Sequence, residues 1–319
     1  MKTKNLFVIS PHHYCHSTAT IIEGLNKLDG IKVFSNTDHN YCKHPIQTFK
    51  TQVQVAKMAD YVMICHSALE SKYKESIDPL IGELQGNIDI FLDGSDFTKY
   101  EGSPSDYKLY IKREMDASQN HHSDNIEPLI FAAEDRHFTK PNASHRNLWQ
   151  NKTDDLVCIM SACEKRPWRF DIMKSLEDAF GHNDKVFIGE YREGRAATID
   201  TGDRHHSGYF NKLLRARISV DSRGCGEARQ TGRFWESMAN GCLVFYQPIE
   251  PYVWPHSYID GDDFIVYNDN DELVEKAKYY IDNPNKAKKI ANRGFTKLLR
   301  HHTTQQRASQ FCELVDEYL

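Results

Sequence analysis

No stretch of the chain approaches 18 consecutive apolar residues, so no membrane-spanning helix is expected. The apolar run that follows Met1-Lys-Thr-Lys is also too short for a signal-peptide core, and the expected location is the cytoplasm. Eight cysteines stand at 15, 42, 65, 158, 163, 225, 242 and 312, but no two form a C-x-x-C pair. That spacing gives no support for a disulfide framework or a zinc ribbon and points to reduced, mostly structural thiols. Internal repeats and low-complexity segments are absent, which argues against a solenoid or a disordered chain. Positive charge is not in excess either. With 40 Lys and Arg against 45 Asp and Glu, the net charge is −5, so bulk charge does not hold the protein on nucleic acid, although a local basic cleft is compatible with it.

What remains is an ordinary globular composition, 39% hydrophobic and 27% charged, over 319 residues, long enough for two cores. Strand and helix patterns alternate. Short apolar runs at 6–10, 31–35, 60–65 and 87–92 are separated by amphipathic segments at 17–28, 46–58 and 69–84, with a further strand at 108–112 and an extended segment at 128–131. The pattern restarts with strands at 155–160 and 185–188 around a helix from Pro167 to about Phe180, and it ends in helices at 271–281, 284–299 and 304–318. Such alternation specifies an α/β fold with parallel sheets. The polar run 140–152 reads as the linker between the halves, and 190–207 as a long charged loop.

The most informative stretch is 217–248, RISVDSRGCGEARQTGRFWESMANGCLVFYQP. It reads as a buried strand, a glycine-bearing turn, a helix over about 231–240 capped by Thr231 or Glu227 and stopped by Gly241, and a second buried strand. This βαβ unit places its turn at the carboxyl edge of a sheet, where α/β folds bind ligands. Arg233, Glu236 and Asn240 share one helical face, while Phe234 and Met238 share another that faces the core. A cation beside a helix N-terminus favours a bound phosphate, and a carboxylate one turn further in suits ribose hydroxyls. The plain alternative is an i,i+3 salt bridge.

The run Gly226…Arg233-Phe-Trp-Glu236-Ser-Met-Ala-Asn-Gly241-Cys-Leu-Val resembles the donor-binding signature of GT-B glycosyltransferases, especially exostosin-like and spore-maturation-type (CgeB-like) enzymes. The likeness continues through Asp263-Phe-Ile-Val266, Asn270-Asp-Glu272-Leu, Asp282-Asn-Pro284 and Arg293-Gly294, covering roughly 210–310 well and the first half in outline. The Arg-x-x-Glu spacing is similar, more weakly, to phage DNA β-glucosyltransferase. The resemblance implies two Rossmann-like domains facing across a cleft: 1–145 on the acceptor side, 153–303 on the donor side, and a last helix, 304–319, packing back toward the first. It also implies transfer of a sugar from a nucleotide-diphosphate sugar, with a UDP-sugar the expected donor, to an acceptor hydroxyl.

Further anion contacts are expected from Arg166 and Arg169 in the basic turn 161–169, because cations at a helix start are unfavourable unless an anion lies between. Arg223, Gly226 and Arg229 flank the glycine turn and carry the same expectation; a solvated basic surface is the alternative. For the general base, Asp96, in FLDGSDF after a strand, stands narrowly ahead of His13, in HHYCH after the first strand; Asp93 is a further acid at that edge. No metal is required, since arginines and a helix end offset leaving-group charge, and the histidine cluster lacks metal-site spacing. Two other functions compete: a DNA-modifying glycosyltransferase acting on a hydroxymethylated base, with arginines of 190–217 meeting phosphates, and a catalytically silent nucleotide-sugar binding module. The acceptor is then a glycan, a small molecule or modified DNA.

Overall fold

The computed structural model describes residues 3–117, 124–161, 164–190, 207–224, 230–249 and 254–319. In chain order its elements are β1 (Lys4–Ile9), α1 (His16–Leu25), β2 (Ile31–Ser35), β3 (His44–Pro45), α2 (Phe49–Met58), β4 (Tyr61–Cys65), α3 (Lys74–Glu83), β5 (Ile90–Asp93), β6 (Leu109–Lys112) and β7 (Ile126–Pro128). There follow α4 (His145–Gln150), β8 (Asp154–Met160), α5 (Trp168–Phe180), β9 (Val186–Glu190), α6 (Ser207–Arg215), β10 (Ala216–Val220), α7 (Gly232–Ala239), β11 (Leu243–Tyr246), β12 (Ile265–Val266), α8 (Asn270–Asp282), α9 (Pro284–His301) and α10 (Thr304–Tyr318). The chain divides into two compact units, one comprising Met1–Glu134, Pro251–Pro255 and His301–Leu319, the other Asp135–Glu250 and His256–Arg300.

The first unit is built on a parallel sheet of order β3-β2-β1-β4-β5-β6-β7. Its central strands, LFVI in β1 and VMIC in β4, are unbroken apolar runs because helices cover both faces of a parallel sheet. In register, Leu6 lies beside Val33 on one side and Tyr61 on the other. α10 belongs to this unit and places Ala308, Phe311 and Val315 in its core. It lies so close to α1 that a Cβ on Gly24 would come within 1.9 Å of the Thr304 carbonyl oxygen. A glycine in the last turn of α1, a weak point by propensity alone, is there to let two backbones meet.

The second unit has a parallel sheet of order β12-β11-β10-β8-β9. β8 is buried along its whole length and packs with α5, α8 and α9 side chains such as Ile172, Leu273 and Ile290. The division of the chain falls after Glu134, ahead of the expected 145, and again after Arg300 rather than 303. The stretch 140–152 is part of the second unit's fold. Ser144 accepts a hydrogen bond from the Asn147 N–H (3.3 Å) and starts α4, whose His145, Leu148 and Trp149 are buried. Lys152 ends the segment inside the protein, its ammonium donating to the carbonyls of Ala216 (2.6 Å) and Asn240 (3.0 Å). Among the described residues, no helix is long and apolar enough to cross a membrane.

Candidate functional site

The second unit gathers polar chemistry at the carboxyl ends of β8, β10 and β11. Asp221 follows β10 and is almost wholly buried. Its carboxylate accepts from the Thr231 hydroxyl at 2.6 Å and from Arg233 Nε at 2.9 Å. Thr231 does occupy the N-cap of α7, but its hydroxyl is turned to Asp221 and makes no cap bond. The C-terminal end of α7 is as expected: Gly241 adopts φ +69°, the left-handed turn that stops a helix cheaply only with glycine.

Arg233 keeps a fifth of its side chain exposed. Burial works against its charge, but Asp221, Tyr209 and Glu236 together outweigh that, so the guanidinium is held above its ordinary range. One turn on, Glu236 accepts the Tyr209 hydroxyl at 2.6 Å, and His137 Nε2 lies 3.9 Å from its other oxygen. The phenol of Tyr209 is pushed up by burial and by the Glu236 charge.

Arg169 is buried at the start of α5 and serves as a clamp: Nε donates to Ser222 Oγ (2.9 Å), Nη1 to the Ser161 carbonyl (3.0 Å) and Nη2 to the Arg223 carbonyl (2.8 Å). Burial, the charge of Arg233 and that of Arg166 bring its pKa down to about 10, with Asp221 acting the other way. Arg233 and Arg169 thus share the influence of one buried carboxylate while Arg166 adds a third positive charge acting on Arg169, an arrangement that favours an additional anion. Arg223 lies over the Trp168 ring, 5.0 Å from its centre, and its buried Nε has no hydrogen-bond partner among the described residues. The structure therefore brings Arg166, Arg169, Arg223, Arg233 and Glu236 to one sheet edge, with Arg169 spending its donors on the protein. Gly226, Glu227 and Arg229 lie outside the described residues, as do Arg192, Arg195 and Arg204.

Asp221 and Tyr209 are the members of this cluster that sequence reasoning did not single out. Tyr246, the last residue of β11, and Tyr258 are buried, and each packs 5.3 Å from the Phe234 ring. Among the described residues no group of three or more His, Cys, Asp or Glu is placed to hold a metal ion. Asp-x-Asp spacings do occur at Asp260/Asp262 and Asp269/Asp271. In them Asp260 accepts from the Val266 N–H (2.7 Å), Asp262 pairs with Arg293 and Asp269 caps α8.

In the first unit, Asp96 and His13 follow β5 and β1. Asp96 is partly exposed, with one oxygen paired to the buried Arg113 guanidinium. His13 stacks on Tyr73 at 5.0 Å, its buried Nδ1 has no hydrogen-bond partner among the described residues, and burial lowers its pKa. Asp93 is fully buried and accepts from Lys112 Nζ and the Tyr110 hydroxyl, each at 2.6 Å. Burial alone would raise this carboxyl, but Lys112 and the hydrogen bonds win and hold it below the usual range. Its lone pairs are taken up by the fold.

Two α/β units, each on a parallel sheet with polar residues at its strand ends, define the GT-B fold. Comparison with solved proteins agrees over the whole chain. The HepE protein of Anabaena, solved with UDP-glucose, superposes with a TM-score of 0.62 at 11% identity, covering 98% of this chain and 99% of that one. A glycosyltransferase from Rickettsia africae gives 0.58 at 11% identity, covering 100% and 99%. An alpha-glucosyltransferase solved with UDP gives 0.60 at 8% identity, covering 98% and 100%. Residues 170–313 match the family model described as glycosyl transferase-like. No curated protein matches by sequence.

Proposed function

We propose that this protein is a glycosyltransferase that moves a sugar from a nucleotide-diphosphate sugar, a UDP-sugar, to an acceptor hydroxyl. The observation that carries the reading is the buried Asp221 carboxylate paired with Arg233, with the charge of Arg169 close by and Glu236 one helical turn further along α7. The diphosphate is an anion of the kind this cluster favours. Arg233 and Arg223 contact it directly, Arg169 holds the two loops that surround it, and Glu236 accepts from the ribose hydroxyls. Charged hydrogen bonds aimed at a leaving group strengthen as it gains charge, so the same contacts lower the barrier to transfer.

The match of residues 170–313 to a glycosyl transferase-like model and the solved complexes of HepE and the alpha-glucosyltransferase with UDP-glucose or UDP support a uridine nucleotide. Among glycosyltransferases we place the chain nearest the exostosin-like and CgeB-like enzymes, on the residues around Arg233 and Glu236, and in the cytoplasm. No metal is assigned a role.

Thermal melting in the presence of nucleotide sugars tests the reading. A true donor at a hundred times its Kd should stabilise the fold by about 2.7 kcal/mol, and UDP should be released on incubation with that donor. No shift with any UDP-sugar counts against it. A second reading has DNA as the acceptor. It is favoured by the alpha-glucosyltransferase solved with UDP-glucose and DNA containing an abasic site. Steeply salt-dependent binding to duplex DNA supports that reading, and no binding at low salt removes it.

A further inference from the structure

Two cysteines meet at the carboxyl edge of the first unit's sheet. Cys15 is the N-cap of α1, and its own N–H donates to Asn40 Oδ1 at 2.6 Å. Cys65 is the last residue of β4, and Ser67 follows two positions on. The Ser67 hydroxyl donates to Cys15 Sγ at 3.2 Å, and its oxygen lies 3.5 Å from Cys65 Sγ. One serine thus touches both sulfurs. Their separation in the sequence hides the pair, because the parallel pairing of β1 with β4 is what carries the two strand ends to one edge.

The two thiols are not equivalent. Cys65 is sealed in the core, whereas Cys15 keeps 9% of its surface exposed. Donors to the Cys15 sulfur, the Cys65 thiol foremost and the Ser67 hydroxyl among them, outweigh burial and hold Cys15 well below the ordinary thiol range. The N-terminal end of a helix favours a thiolate in the same direction. Cys65 moves the other way, through burial and through the hydrogen bond it gives. Burial likewise raises Cys42, Cys242 and Cys312 and pushes Cys158 up to about 12. Among the described cysteines, then, Cys15 alone is held toward the thiolate, and the sulfur beside it keeps its proton.

We propose that Cys15 and Cys65 are a redox pair: a hydroperoxide oxidises Cys15, and Cys65 then closes a disulfide that ties the start of α1 to the end of β4. In the first step the Cys15 thiolate attacks hydrogen peroxide. An S–O bond forms, the O–O bond breaks, the sulfur becomes a sulfenic acid, and the departing hydroxide takes up a proton to become water. In the second step the Cys65 sulfur attacks the sulfenic sulfur. The S–S bond forms, the S–O bond breaks, and the hydroxyl leaves with the Cys65 proton as water. Two electrons pass from the sulfurs to the peroxide. Both residues belong to the first unit, and the pair does not depend on the glycosyltransferase reading.

Peroxide treatment of the full-length protein, reduced beforehand and kept in its native state, tests this. After remaining thiols are blocked with N-ethylmaleimide, peptide mapping by mass spectrometry should show Cys15 joined to Cys65 with the loss of two hydrogens, and dithiothreitol should reverse it. Cys15 should be oxidised roughly tenfold or more faster than Cys158. In Cys65→Ser the reaction should stop at the sulfenic acid, trapped on Cys15 by dimedone, and in Cys15→Ser the Cys65 thiol should survive the same treatment. A wild type in which both remain thiols, or in which Cys15 is oxidised without being joined to Cys65, overturns the proposal. So does a folded Cys65→Ser variant with no dimedone adduct on Cys15. The wild-type map decides by itself if either variant fails to fold.

Discussion

Glu236 receives the Tyr209 hydroxyl on one carboxylate oxygen, which orients the group and leaves its remaining lone pairs for a ligand. Glu236→Gln should therefore weaken nucleotide binding by roughly ten- to a hundredfold, the worth of about 1.5–3 kcal/mol for a hydrogen bond to a charged group. The penalty should shrink for a 2′-deoxyribose nucleotide, measured by calorimetry; equal losses for both nucleotides would mean that the carboxylate does not face the ribose. Tyr209→Phe should give a smaller loss of the same kind. At this scale the sequence was readable only along one helix. Arg233 and Glu236 announce themselves because three residues bring them to the same face. Asp221 and Tyr209 reach the same cluster from another strand end and another helix, and nothing in local spacing marks contacts of that type.

Helices and strands were more legible, since an unbroken apolar run such as LVCIM in β8 has few other uses than a strand covered on both faces. Polarity misled where a polar side chain is spent inside the fold. The run 140–152 has a linker's composition, yet it holds α4 and the buried Lys152, whose charge is met by backbone carbonyls. Glycines inside helices are the other hidden constraint. A Cβ on Gly24 would meet the Thr304 carbonyl at 1.9 Å, and one on Gly294 the Asp263 carbonyl at 2.3 Å. Helix propensity alone would make Ala the better residue at both sites by roughly 1 kcal/mol. Packing reverses that: Gly24→Ala and Gly294→Ala should each destabilise by about 1–3 kcal/mol or more, read from urea unfolding, because backbone has to move. Unchanged or raised stability in either would show that the helix is free to shift.

For the molecule as a whole, pH is the simplest probe of the buried interior. Burial, with the nearby Lys152 charge adding to it, pushes His145 from 6.5 down to about 4. The unfolded chain then binds a proton that the folded chain refuses, so this contribution is intact above pH 6.5 and is lost progressively as pH falls from 6.5 toward 4. It is worth up to about 3 kcal/mol. A His145→Gln variant should show a flatter stability profile in that window, and a profile parallel to the wild type would place His145 outside the buried interior. Calorimetric titration of the intact protein with UDP tests the strand-end cluster of the second unit most directly. Wild type should bind UDP, and Arg233→Ala, folded by circular dichroism, should bind it roughly ten- to a hundredfold more weakly. A wild type that does not bind UDP, or an Arg233→Ala variant that binds it equally well, would contradict the assignment.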